Sequence, residues 1–593
     1  MRSWQRLKFM GVEKCFSRRE DGLWVPRQQA KSLEDALRAV GLRPQALEQA
    51  IAAAKAINGR VTDAIREDKT LPDERVAQAL ALATNIPWLP TAAADDLDLA
   101  SLRDLMLDED GRFVPIHRDG EAVAVALSYP NDKRDAATAL MAKGEKFRVQ
   151  PCIATPRVIE TLHYRYFVNT AARFDACIDV GDYSGALGAL LIHACYLGGV
   201  ENLYLEPGVR VGHIRFGVEG VRRHFRALPI ERGEDPDLSN GTMEGSFGRL
   251  INLIVNDMRV RDVQIHAQGA LNEEIPEALR GRYDFRVEVM RTVHGLKAVL
   301  RPYDRHAEAA DFANLGLDPQ TAERLRDYVE APYGLVMVVG PTGSGKNTTI
   351  ASLLFTTDAV SRSIQTVENP AELRVGTWAQ HEIPRTAVGS EAEAQMQYEI
   401  VRGLLRSAPQ VIYFGEVRDG DALSLAIKRV ARTGHLTLTT FHDVSAAGTV
   451  ASIREMRTIQ GERIGADAFS SVLLGILSQR LVRRICRICG QPDEREETRS
   501  VLYEAGLGVG SAPRRALDAG CPHCFHTGYR GRILVYELLH VDEEMRDLIT
   551  HEAPVAKLYE KMGNSLWRCG LERVAMGLTS IDELRRVVRI GVA

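Results

Sequence analysis

Val336-Met337-Val338-Val339-Gly340-Pro341-Thr342-Gly343-Ser344-Gly345-Lys346-Asn347-Thr348 is the stretch that decides how this chain folds. Its four leading apolar residues read as a buried strand, and the Thr349-Ile350-Ala351-Ser352-Leu353-Leu354 that follows reads as a helix. Between them Gly340, Gly343 and Gly345 let successive backbone N–H groups curl around phosphate oxygens. The helix N-terminus adds positive potential at the same point, and Lys346 reaches toward the β and γ oxygens. Gly340, Pro341, Thr342, Gly343, Ser344, Gly345, Lys346, Asn347 and Thr348 are therefore the candidate nucleotide-binding residues.

One position departs from the pattern. Where Ser or Thr would place a hydroxyl on Mg2+, the chain has Asn347. An amide oxygen is also a hard ligand, but its side chain is bulkier and Mg2+ demands near-ideal octahedral geometry. Thr348 points about 100° away on the helix and is no direct substitute. Three readings stay open: a working site with altered metal geometry, a nucleotide-binding subunit that hydrolyses slowly, and a mutated loop.

Working outward, 593 residues exceed what one core can organise, so several domains are expected. The 45% hydrophobic and 26% charged composition is that of a folded, water-soluble protein. A net charge of -4 disfavours nucleic acid as the main partner, because binding a phosphate backbone calls for a cluster of excess Lys and Arg. Met1 to Arg6 lacks the apolar run of a secretory signal. The longest uncharged stretch, 185–200, is too short and glycine-rich for a membrane span. Of nine cysteines, four form two Cys-x-x-Cys pairs, which points to metal ligation in a reducing, cytoplasmic compartment.

After a leader at 1–30, residues 31–90 carry two similar helical stretches, Ser32 to Leu37 and Arg60 to Ile65, each leading into a second apolar-periodic run. Strand-like Phe113 to Ile116 and Val123 to Leu127 follow, then a helix near Pro156 to Tyr166. Leu203 to Pro207, the alternating His213 to Val218, Tyr283 to Val289 and Leu296 to Leu300 read as strands of a second mixed domain. From about 311 the chain alternates strand and helix, the pattern of a doubly wound parallel sheet.

The loop with its preceding Tyr333-Gly334-Leu335 resembles the nucleotide-binding segment of the secretion ATPase superfamily, in the branch of type II secretion and type IV pilus extension motors. The resemblance implies an α/β fold with a RecA-like P-loop NTPase core, a preceding PAS-like domain, an N-terminal adaptor and a tetracysteine zinc insertion. The implied domains are an adaptor at 31–169, an arginine-supplying domain at 170–305, the ATPase core at 306–480, a zinc module at 481–535 and a helical region at 536–593. It also implies ATP and Mg2+ as ligands.

Further motifs carry the resemblance. Thr366 to Glu372 is similar to the family's acidic box, with Asn369 where an aspartate is usual; a carboxylate at that strand end can activate water, so Glu368 is the candidate general base. Gln410 to Asp419 resembles the second acidic motif, with Glu416 acting through the magnesium shell. Thr433 to His442 is similar to the histidine box, which assigns nucleotide sensing to His435 and His442. Arg286 and Arg301 lie in segments similar to those that supply arginines to the bound nucleotide.

Cys486-Arg487-Ile488-Cys489 and Cys521-Pro522-His523-Cys524 offer four thiolates for a closed, structural Zn2+ site. In the family, such an insertion accompanies extension or secretion motors. Residues 31–166 resemble the domain that docks onto an inner-membrane platform protein. In some members that domain binds cyclic di-GMP, which is disfavoured here because Ser32-Leu33-Glu34 and Arg60-Val61-Thr62 lack the Arg-Leu-Gly repeat. The implied assembly is a homohexamer, peripheral to the inner membrane, that hydrolyses ATP to drive secretion or pilus assembly. The alternative is a nucleotide-binding ring subunit with weak or no hydrolysis.

Overall fold

The computed structural model describes residues 16–18, 23–57, 59–94, 97, 99–105, 112–141, 147–196, 200–232, 243–260, 263–305, 310–359, 361–369, 371–383, 391–417, 419–508, 510–521, 524 and 526–589. Most of the 1–30 leader lies outside the described residues, as do Pro370, Arg418, Pro522 and His523. The chain divides into two compact units. One gathers Ala30–Ala79 with Glu308–Ala593, the other Ser17–Gln29 with Leu80–Ala307.

The larger unit is built on a seven-stranded sheet. Its spatial order is Ala379–Glu382, Ile364–Glu368, Val411–Val417, Leu436–Phe441, Gly334–Val339, Leu473–Ile485 and Tyr529–His540. All neighbours run parallel except the last pair, which is antiparallel. Gly334–Val339 is buried at every residue, as a parallel strand covered on both faces must be, which explains its unbroken apolar sequence. The parallel α/β arrangement read from residue 311 onward is thus present, with one antiparallel edge added.

That edge comes from the cysteine insertion. Leu473–Ile485 ends one residue before Cys486, and Tyr529–His540 returns beside it, pairing Gly475 with His540 and Ile485 with Tyr529. Both strands run through the boundaries expected at 481 and 535, so the insertion is an excursion from the main sheet.

The expected adaptor at 31–169 is divided. Helices Leu33–Ala39, Pro44–Ile57 and Val61–Glu67 cluster with the phosphate-loop sheet, whereas the chain from Leu80 onward clusters with the other unit. The reason is local. Arg75 and Asp311 form a buried ion pair at 2.8 Å, and the Gly376 amide donates to the Asp68 carbonyl at 3.1 Å. Removing one partner of such a buried pair would leave the other charge uncompensated, so the pair fixes how the two segments meet.

The second unit carries a three-stranded sheet, Phe113–Asp119, Ala122–Leu127 and Arg148–Ile153, followed by helix Pro156–Tyr166. It also carries a six-stranded antiparallel sheet ordered His266–Ala270, Tyr283–Thr292, Gly295–Asp304, Val200–Pro207, Val211–Val218 and Val221–Pro229. Alternating burial along Tyr283–Thr292 places Phe285, Val287 and Val289 against helices Tyr183–Tyr196 and Gly245–Asp257 and leaves Arg286 on the opposite face.

One buried carboxylate ties the sheet to the C-terminal helices. Glu537 accepts from the Ala446 amide at 2.8 Å and from the Leu566 amide at 2.9 Å, the first residues of helices Ala446–Glu455 and Leu566–Ala575. Both helix N-termini are positive ends that favour an anion. Glu537→Ala should leave two buried donors unsatisfied, at a cost of about 1–3 kcal/mol each, so hydrogen exchange at Ala446 and Leu566 should speed up by about tenfold or more.

Candidate functional site

The phosphate loop leaves the sheet between two parallel neighbours. The Gly340 amide donates to the Phe441 carbonyl at 3.2 Å, so the loop begins at the carboxyl edge, where ligands of such sheets bind. Gly340 has φ +153°, and a Cβ there would sit 2.5 Å from the Gln479 carbonyl oxygen, so only glycine fits. Gln479, fully buried in the adjoining strand, donates its amide to the Ser344 carbonyl at 2.7 Å and holds the loop from below. Arg480 donates to the Gln479 carbonyl at 2.9 Å and to the Val444 carbonyl at 2.6 Å. The sequence reading missed both residues, because only sheet order reveals which strand lies beside the loop.

Lys346 opens helix Lys346–Leu354 and is 8% exposed. Its ammonium donates to the loop's own carbonyls, Gly340 at 2.9 Å and Pro341 at 3.1 Å. Burial lowers its pKa, and Glu416 and Glu372 work against that shift. The Ser344 hydroxyl and Gln479 Oε1 are buried without a hydrogen-bond partner. An unpartnered loop hydroxyl that can donate, together with a buried ammonium, suits an anionic ligand such as a polyphosphate.

Two acidic strand ends lie at the same carboxyl edge of the sheet as the loop. Gly415 lacks a side chain where a Cβ would lie 3.3 Å from the Cα of Glu368, so Val411–Val417 and Ile364–Glu368 approach closely. Glu368 is 8% exposed and accepts from Thr366 Oγ1 at 2.7 Å and Gln380 Nε2 at 3.0 Å. Gln380 also donates to the Leu373 carbonyl at 2.8 Å and accepts from the Val375 amide at 2.7 Å, which folds the segment after Glu368 back on the strand. Burial raises the Glu368 pKa above its ordinary 4.5, against the two hydrogen bonds that lower it. A base held this way is more basic than a free glutamate.

Glu416 pairs with His442, Nε2 to Oε1 at 2.7 Å. Two residues read from separate motifs are thereby one unit, oriented by the parallel register that sets Val417 beside Phe441. His435 is elsewhere. It precedes strand Leu436–Phe441, its carbonyl accepts from the Gly334 amide, and its Nδ1 lies 3.1 Å from Thr433 Oγ1 and 3.3 Å from the Val430 carbonyl. A six-residue strand separates it from the loop by about 20 Å, so it does not reach the phosphate site of its own chain.

Arg286 and Arg301 belong to the second unit and are direct cross-strand partners on one sheet face. Arg301 donates to Asn202 Oδ1 at 3.1 Å. Two guanidinium groups so placed repel unless an anion lies between or beside them.

The four cysteine thiols lie within 4.8 Å of one another. Cys486 and Cys521 are 3.8 Å apart at sulfur, and Cys489 and Cys524 are 3.7 Å apart. Disulfides need about 2.05 Å. Sulfurs placed 2.3 Å from a tetrahedral zinc stand about 3.8 Å apart, so the residues fit that ion. The Cys521 and Gly528 amides donate to Cys524 Sγ at 3.1 and 3.2 Å. Burial opposes ionisation of that thiol, the amides outweigh it, and its pKa falls to about 7. A cavity of about 910 Å³ in the same insertion, walled by Asp493, Arg499, Tyr503 and Arg514 among others, includes no phosphate-loop residue.

The raised Glu368 pKa has a definite sign. The folded state favours the protonated form, so the stability tied to that proton is complete below pH 4.5 and is lost as pH rises through the higher folded pKa. Glu368→Gln keeps an oxygen for Thr366 and Gln380 and cannot ionise. Its thermal stability should exceed that of the parent at pH 7–8, with the advantage vanishing below pH 4.5, as measured by melting curves across that range.

The family model described as "Type II/IV secretion system protein" matches residues 242–586. Over 568 residues, covering 89% of this chain, the sequence is 28% identical to the type IV pilus assembly ATPase PilB of Thermus thermophilus. It is 32% identical over 399 residues, 66% of this chain, to the type II secretion system ATPase E of Vibrio cholerae. The chain spans 59% of the Thermus protein's length and 72% of the Vibrio protein's. Among solved structures, the pilus retraction motor PilT with bound ADP aligns over 67% of this chain and 95% of its own, at 22% identity and a TM-score of 0.42. With the model spanning most of the chain and a glycine-loop sheet of this geometry at its centre, the chain belongs to the type II/IV secretion system protein family.

Proposed function

We propose that the chain is an ATP-binding and hydrolysing motor that energises type II secretion or type IV pilus assembly. The observation that carries this reading is the convergence of a buried Lys346, the N-terminus of its helix and the Glu368 and Glu416 strand ends at one edge of the sheet. The loop amides and the Lys346 ammonium bind the phosphates, exchanging the carbonyls of Gly340 and Pro341 for phosphate oxygens. Glu368 takes the proton from an attacking water, its basicity raised by burial. Glu416, oriented by His442, holds negative charge on the metal side of the site. Asn347 and Glu416 offer hard oxygens that would hold Mg2+, which would supply charge neutralisation to the phosphoryl group. Arg286 and Arg301 offer guanidinium charge to the phosphoryl group, and His435 keeps only a role at an interface.

The assembly in this reading is a homohexamer, cytoplasmic and peripheral to the inner membrane, that acts on a platform protein. No helix among the described residues is long and apolar enough to cross a membrane. Zn2+ held by Cys486, Cys489, Cys521 and Cys524 is structural, since four protein ligands leave no open position.

Lys346→Ala should abolish nucleotide binding in calorimetry. Glu416→Gln should keep binding and lower phosphate release by roughly 100-fold, the scale of losing a preorganised charge. A parent chain that binds a nucleotide and releases no phosphate would instead identify the weakly hydrolysing ring subunit. For the zinc site, Cys486→Ser should cut bound zinc from one equivalent per chain to near zero by elemental analysis. Residues 486–528 should then become protease-sensitive while the parallel sheet stays intact.

A further inference from the structure

Strand Val411–Val417 contains one polar side chain in its buried first half, Tyr413, which is 3% exposed. A hydroxyl in that position costs stability unless it finds a partner. It finds two. The Tyr413 oxygen lies 3.3 Å from Asn347 Oδ1, in the first turn of the phosphate-loop helix, and 3.4 Å from the Gly415 carbonyl oxygen. Both contacts are long for O–H···O bonds, as a single shared proton would make them. The Gly415 carbonyl also accepts from Thr440 Oγ1 and has a second lone pair, so the phenolic proton is shared between Gly415 and Asn347, with Asn347 Oδ1 the nearer acceptor.

A phenol carries its proton at neutral pH, and the Tyr413 hydroxyl donates toward Asn347 Oδ1. An Asn side chain alone has a broad, nearly two-fold terminal torsion and presents oxygen or nitrogen almost equally. A fixed donor breaks that symmetry by requiring Oδ1. That oxygen has two acceptor sites, so one remains when the phenol occupies the other.

We propose that Tyr413 is a positioning residue for Asn347, and that this pair replaces the loop hydroxyl that would otherwise meet Mg2+. The proposal rests on the nucleotide-binding reading above. Asn347 presents its remaining lone pair to the cation, and Tyr413 acts only through Asn347. The two positions are therefore interdependent: the tyrosine matters when residue 347 is asparagine and does not when it is threonine, which carries its own hydroxyl.

The test is a double-mutant cycle read by calorimetry with a non-hydrolysable ATP analogue, with and without Mg2+. The full-length parent, Tyr413→Phe, Asn347→Thr and the double variant are compared. In the parent, Mg2+ should tighten binding by about tenfold or more, and Tyr413→Phe should reduce that increment to about threefold or less while leaving metal-free affinity at the parental value. In the Asn347→Thr background, Tyr413→Phe should leave the Mg2+ increment unchanged. An undiminished increment in Tyr413→Phe, or an equal loss in both backgrounds, overturns the proposal. Should Tyr413→Phe fail to fold, Asn347→Leu with Tyr413 intact decides the matter: the increment must be lost, and its survival overturns the proposal. A parent that binds no analogue under either condition refutes the nucleotide reading itself, a separate outcome.

Discussion

Main-chain hydrogen bonds that pin Gly334–Val339 between Leu436–Phe441 and Leu473–Ile485 set where every other group of the site can stand. Because both neighbours are parallel to it, all three carboxyl ends face the same way, and the loop emerges among them. The Gly340 amide on Phe441 and the Gln479 side chain on Ser344 are direct consequences of that register. A slip of one residue in either pairing would turn Gln479 to the other face of the sheet and leave the loop unsupported.

The same constraint extends outward from the loop. Arg480 follows Gln479 and grips Val444, two residues before the helix that Glu537 caps, and Glu537 also caps the helix at Leu566. Phosphate loop, histidine strand and C-terminal helices are thus joined through buried polar contacts rather than through apolar packing alone. Such contacts have discrete geometries, so a change at the loop is passed on as a rearrangement of partners.

Around the acidic ends, burial does two things. It raises the basicity of Glu368 and turns the Tyr413 hydroxyl, protonated at neutral pH, to protein acceptors, so one strand end is suited to accept a proton and its neighbour to donate a hydrogen bond. Both effects come from water exclusion where strands Ile364–Glu368 and Val411–Val417 close on each other across Gly415.

The local pattern determined a good deal. Val336 to Thr348 prescribed strand, loop and helix because apolar runs, glycines and a lysine act through near neighbours, and the paired Cys-x-x-Cys spacing likewise marked the four thiols that the fold gathers. Glu368 and Glu416 were legible as strand-end carboxylates for the same reason. Tertiary structure alone decided that Glu416 meets His442, that Asn347 meets Tyr413, that Gln479 supports the loop, and that His435 stands at the far edge of the sheet. It also decided that the first helices fall in the same compact unit as the phosphate-loop sheet, a unit in which Arg75 pairs with Asp311. Each of these depends on which strands lie side by side and in what register. Contacts between residues tens or hundreds of positions apart leave no period or spacing in a single chain.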